Sequence, residues 1–274
     1  NKLFDHVPIL GFILRSTNVR NGFEVYSPLL RLAKLLLGPD TKLIVSSEWD
    51  LSPFVYRSIT ELPGFVLIGL PAHESSNALL LSLTGHELGH SVWAVERFSR
   101  QFEKRIESQI KHEITGKYWN EYVSFYPNTQ KEDVLSGDDL LTPSTWENAY
   151  IWALLQTEEI FCDILGLRLF AESYLHAFNY LLSPSISGPR PLHYPNISRR
   201  VICLMKAATE FNITYSPDLN AEFIDGEEPS DSTTAMLVSI ADDVSDALVP
   251  DLIQLTKEFA ENKAIPSRNP ARVH

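Results

Sequence analysis

The chain is poor in cysteine, poor in positive charge and without a long apolar run. Its 274 residues include two cysteines, Cys162 and Cys203. That is too few for the disulfide framework of a small secreted domain, so a reducing, cytoplasmic setting is expected. No apolar stretch reaches the ~18 uncharged residues that a membrane-spanning helix needs, so no span is expected. Lys and Arg number 23 against 35 Asp and Glu, for a formal net charge of −12. This balance disfavours nucleic acid as the main partner. Between Lys206 and Lys257 there is no Lys, Arg or His at all. The acids there read as a solvated face, with a dock for basic partners as the weaker alternative. Repeats and low-complexity tracts are absent as well. What is present is 44% hydrophobic residues, enough to bury one large core or two modest ones.

Local patterns suggest a coarse organisation. Val7 to Leu14 and Lys42 to Ser47 read as strands, with a helix from Pro28 to Leu37 stopped by Gly38-Pro39. Gly64 to Leu70 is a strong strand signal ended by Pro71. Helical patterns follow from Ser76 to Lys111 and from Trp146 to Leu182. Lys117 to Thr145, rich in turn residues and aromatics, suits either a lid or a plain connection. The proline-rich loop Ser183 to Pro195 leads into a helix running to Phe211, with Pro195 and Asn196 or Ser198 at its cap. One or two helices follow the acidic loop Gly226 to Ser232 and run to Asn262. The expected fold class is α+β and mostly helical. Its parts would be an N-terminal α/β stretch (1–75), a helical core (76–211) and an acidic helical segment (212–274), together forming one compact domain.

Within the first long helical pattern stands His86-Glu87-Leu88-Gly89-His90. Residues i and i+4 share a helix face, so two imidazoles can grip one metal ion from the same side. Glu87 then lies where it can take a proton from a water. Two other His-Glu pairs, His73-Glu74 and His112-Glu113, lack the second histidine: Asn77 and Gly116 stand in its place. The bland alternative for 86–90 is a helix with two surface histidines, but the uncharged flanks Leu83, Thr84, Gly85, Ser91 and Val92 suit a buried helix better.

A zinc site needs a third protein ligand. Glu159 and Asp163, again i and i+4, lie in an otherwise apolar helix with Ile160, Phe161, Ile164 and Leu165. Charges in such a helix are usually paired or ligated. One carboxylate can bind metal while the other accepts the N–H of a ligand histidine. Cys162 and Cys203 read as buried thiols.

H-E-x-x-H followed by E-x-x-x-D is similar to the gluzincin metallopeptidases, the thermolysin-like clan. The resemblance implies a zincin-like fold, Zn2+ on His86, His90 and Glu159, Glu87 as general base, and Asp163 as the partner of His86. Glu158 stands where thermolysin-like enzymes carry Asn. Sixty-eight residues separate His90 from Glu159, a spacing more like the HtpX-type peptidases and compact bacterial relatives. Those carry H-P-x-x-x-x-R after the ligand Glu. Here Pro195 and Arg200 match, Tyr194 takes the place of the His, and His193 lies one residue earlier. His193, Tyr194 and Arg200 are thus the candidate donors to an oxyanion. The clan also implies that the strand before the zinc helix is a sheet edge to which substrate adds. The expected function is a cytoplasmic zinc endopeptidase with a restricted protein target. The alternative is a metal-stabilised interaction module of the same fold that does not turn over. Since HtpX-type enzymes are membrane proteins, this chain would be a soluble version or the soluble part of a longer one.

Overall fold

The apolar run after Gly64 becomes the middle of a sheet. In the computed structural model, which describes residues 2–16, 23–50, 52–56, 62–74, 77–136, 142–183 and 188–266, three strands form. They are β1 (Lys42–Glu48), β2 (Phe54–Tyr56) and β3 (Phe65–Pro71), in the order β1-β3-β2. β1 runs parallel to β3 from Lys42↔Phe65 to Glu48↔Pro71, and β2 pairs antiparallel to it from Phe54↔Gly69 to Tyr56↔Leu67. The sequence reading made β3 an edge open to substrate. It is instead the central strand, with β1 along one side and β2 across Leu67–Gly69 on the other. The error has a physical source. A strand buried on both faces reads as one continuous apolar run wherever it lies in the sheet, and the three-residue β2 is too short to leave a pattern. Gly69 is required here, because a Cβ on it would lie 2.3 Å from the Phe54 ring.

The described chain forms two units, each assembled from separated stretches. The first comprises Asn1–Glu96, Leu165–Leu181 and Lys257–His274. It opens with α1 (Lys2–Arg15) and α2 (Phe23–Leu37). Val7 to Leu14, expected as a strand, is helical. Phe12 is fully buried with Ile9 and Ile13 packed around the same core cluster, whereas Val7, Leu10 and Leu14 are exposed. The i, i+3, i+4 spacing of the buried set belongs to a helix. α2 ends at Gly38, whose φ of 119 is readily tolerated only by glycine. After a short 3-10 helix (Ala78–Leu83) comes α3 (Thr84–Glu96), packed on β2, β3 and α2.

The second unit comprises Arg97–Ile164 and Leu182–Thr256. The helix expected from Ser76 to Lys111 is two helices, α3 and α4 (Ser99–Thr115), parted at Arg97 in the left-handed region at φ 55; Ser76 itself lies outside the described residues. α5 (Trp119–Phe125) and α6 (Lys131–Ser136) lie against α4, so the described part of the 117–145 stretch packs on its own helix. α7 (Thr142–Phe170) and α8 (Glu172–Leu182) divide the second expected long helix at Ala171, φ 54. One residue with positive φ ends a helix without disturbing apolar periodicity, which is why neither break is legible. α9 (Ile197–Glu210), α10 (Ser232–Ala247) and α11 (Val249–Asn262) complete the chain. α9 starts where expected, with Asn196 in the N-cap position, but its cap hydrogen bonds come from elsewhere. The Asn196 side chain makes no cap hydrogen bond and donates to Glu228 at 2.6 Å. Asp225 caps instead, accepting from the Ser198 N–H at 2.9 Å and its hydroxyl at 2.6 Å. A carboxylate from a later loop satisfies the helix N-terminus and its dipole. Of the loop before α9, residues 184–187 lie outside the described residues.

Candidate metal centre

α3 holds His86 and His90 one turn apart, 9% and 6% exposed, with ring centroids 4.9 Å apart and planes at 84°. Leu88, Val92 and Trp93 on the same helix are buried, and Glu87 is half-buried. The residue before the first histidine sets how closely a second helix can come. A Cβ on Gly85 would lie 3.0 Å from the Gly166 Cα and 3.0 Å from the Phe170 ring, both on α7. A Cβ on Gly166 would lie 2.3 Å from the Tyr174 ring. α3 and the end of α7 therefore meet backbone to backbone. Upstream on α7, Asp163 is one turn and Glu159 two turns from that crossing.

One donor atom each from His86, His90 and Glu159 lies within 4.8 Å of the others, and all three residues are buried. Glu159 is 1% exposed, and its chain neighbours Ile160, Phe161 and Cys162 are fully buried. A carboxylate this deep needs compensation by positive charge or hydrogen bonds. A cation shared with two imidazoles is one form of it. Two nitrogens and one carboxylate oxygen are a donor set that suits zinc. The Gly85/Gly166 crossing is expected to be intolerant of bulk. Gly85→Ala should lower the unfolding free energy by about 1–3 kcal/mol, as overpacking does. A denaturant midpoint equal to that of the wild type would disprove the tight crossing.

Asp163 is also buried. Arg200 of α9 donates to it twice, Nε to Oδ2 at 2.8 Å and Nη2 to Oδ1 at 2.8 Å. Such a bidentate, charge-assisted pair fixes both side chains. The Arg200 guanidinium lies 5.6 Å from the Tyr194 ring centroid, and the Tyr194 ring lies 4.6 Å from that of His193. Tyr194 is half-buried and His193 exposed. Among the three candidate donors, Arg200 thus has a near task on Asp163, one turn from Glu159. Glu158 is buried as well. Cys162 and Cys203 are both buried free thiols. Burial, with Asp246 nearby, pushes the Cys203 thiol up to about 12, so it stays protonated at neutral pH.

No family model, no curated protein and no solved structure matches the chain.

Several contributors escaped the sequence reading. The acids of α10 were expected on a solvated face, yet Asp242 is buried and paired with Arg190 at 2.8 Å. Arg199 reaches Asp246 at 2.5 Å and Asp243 at 3.5 Å. Lys117 also pairs with Asp243, and Tyr118 donates to it at 2.8 Å. The sequence carries no signal for this, since acids in a stretch without cations can equally face water. Burial by itself would raise the Asp243 carboxyl, but hydrogen bonds from Lys117 and Tyr118 hold it below its usual 3.8. A depressed folded-state value means the stabilisation is complete above pH 3.8 and is lost as pH falls through the lower, folded value. The stability gap between wild type and Asp243→Asn should therefore narrow between about pH 5 and pH 2 in chemical unfolding. A constant gap would show that the pairing is not coupled to protonation.

Proposed function

We propose that the chain is a zinc-dependent endopeptidase with Glu87 as general base. The observation that carries this reading is the buried group of His86, His90 and Glu159, whose donor atoms lie within 4.8 Å of one another. Zinc in that place supplies a Lewis acid and acidifies water to a pKa of about 7.

Every other task falls to side chains of this protein. Glu87 follows His86 directly on α3 and is half-buried. It takes a proton from the attacking water and returns it to the leaving amine. Asp163, gripped by Arg200, keeps negative charge one turn from Glu159. With Arg200 engaged by Asp163, the developing oxyanion is assigned to Tyr194, whose ring lies against Arg200. The substrate is a polypeptide. Among the described residues no helix is long and apolar enough to cross a membrane. The proposed setting is cytoplasmic and the proposed substrate a restricted protein target.

The test is a comparison of new protein N-termini in cells expressing the wild type and Glu87→Gln. One or a few N-termini that depend on Glu87 support a dedicated peptidase, and many support a degradative one. None, with the protein folded and zinc-loaded, would overturn hydrolysis and leave a metal-stabilised interaction module.

A further inference from the structure

The loop before α9 is held by a buried arginine that the hydrolytic chemistry does not itself require. Arg190 stands between Pro189 and Pro191, with its side chain 3% exposed. Its fork donates to Asp242 of α10 through Nη1 and Nη2, each at 2.8 Å. Nη1 also reaches Glu228 at 3.3 Å. Nη2 donates in addition to the backbone carbonyl of Tyr194 at 3.1 Å. The arginine's own backbone is fixed too. Its N–H donates to the Glu227 carbonyl at 3.0 Å, and the Glu227 N–H donates to the Gly188 carbonyl at 2.8 Å. A Cβ on Gly226 would lie 3.0 Å from the Arg190 Cα, so that strand-like contact is close.

The next residues are held in the same way. Gln156 of α7 donates to the Leu192 carbonyl at 3.2 Å and accepts from Ser245 of α10 at 2.9 Å. The Tyr194 N–H donates to the Pro191 carbonyl at 3.1 Å. The Tyr194 peptide is thus gripped on both sides, by Pro191 at its nitrogen and by Arg190 at its oxygen. Its ring rests against Arg200, which in turn holds Asp163.

A buried ion pair adds little net stability, because desolvation offsets most of the attraction, and an apolar pair of similar volume often serves as well. An apolar pair cannot, however, hold a carbonyl at a fixed point while locked by a carboxylate. A forked, planar guanidinium does both. Donors that act on developing charge work only when positioned in advance.

We propose that Arg190, locked by Asp242, is a positioning residue for Tyr194, fixing its peptide so that the phenol is presented beside Arg200 and the Asp163 turn. The phenol's task rests on the proposed peptidase reading, whereas the clamp stands on the geometry of the second unit alone.

The test uses the full zinc-loaded chain as wild type, Arg190→Lys, Tyr194→Phe and the double variant. Lysine keeps a charge for Asp242 but has no fork to span both Asp242 and the Tyr194 carbonyl. Two readouts are taken: amide hydrogen exchange across 188–211 and 232–247, and hydrolysis of a quenched-fluorescent peptide library. In Arg190→Lys, exchange should rise about tenfold at the Tyr194 amide and stay at the wild-type level in α9 and α10. Its kcat should fall about tenfold with KM unchanged. In the Tyr194→Phe background the same change should cost nothing further. The proposal is overturned by unchanged exchange at Tyr194, by exchange rising throughout α9 and α10, or by a full further loss in the double variant. If Arg190→Lys does not fold, Asp242→Asn, which weakens the lock at constant size, is read by the same criteria. A wild type that hydrolyses nothing in the library sinks the peptidase reading and with it the phenol's task; a localised rise in exchange would still establish the clamp.

Discussion

Glu87→Gln is expected to bind zinc like the wild type and to lose peptide hydrolysis by about a hundred- to ten-thousand-fold, the range that positioned proton transfer supplies. The two effects separate because Glu87 is not among the grouped donors, which come from His86, His90 and Glu159. Glutamine has nearly the same volume as glutamate, so the half-buried position keeps its packing while its amide cannot take a proton. Metal content by mass spectrometry and turnover on a peptide library measure the two sides independently. Equal turnover in the variant would remove Glu87 from the mechanism. Loss of zinc together with turnover would make it a ligand or a fold determinant instead.

Glu159→Ala should weaken zinc binding by at least about a hundredfold in competition with a chelator. Partners that only orient a ligand already cost about 10- to 100-fold when removed, and Glu159 is a member of the donor set itself. Cys162→Ala is the control. Cys162 lies three residues further along the same helix and is equally buried, yet it is outside the grouped donors. Its replacement should leave the zinc affinity within about twofold of the wild type. Should Glu159→Ala bind zinc as tightly as the wild type, the carboxylate would not belong to the site, and the two histidines would need another third partner.

The legible features of this protein are those that depend on neighbours in the chain. The strands at 42–48 and 65–71 follow from short apolar runs bounded by glycine and proline. The burial of α7 follows from a helix apolar on nearly all sides, and it made Glu159 and Asp163 conspicuous. Where a pattern served two structures equally, the reading erred. Val7 to Leu14 is apolar enough for either period, and only the core around Phe12 selects the helix. β3 is as apolar as any buried strand, and its central place depends on three residues of β2.

The pairing of His86 with His90 was determined by sequence alone, because four residues on a helix bring two side chains to one face whatever surrounds them. So was the place of Glu87, next in the chain to His86. The third donor, Glu159, stands out in the sequence as a carboxylate in an apolar helix, but its grouping with the two histidines is set by the tertiary structure. Sixty-eight residues lie between His90 and Glu159, and no local rule carries across that distance. What lets α3 and the end of α7 meet is the absence of a side chain at Gly85, while that at Gly166 makes room for Tyr174. What holds Tyr194 and Asp163 is a pair of arginines, Arg190 and Arg200, reaching residues 4 and 37 positions away. A lone glycine or arginine looks the same in sequence whether it packs a helix crossing or faces water, so the fold alone decides between them.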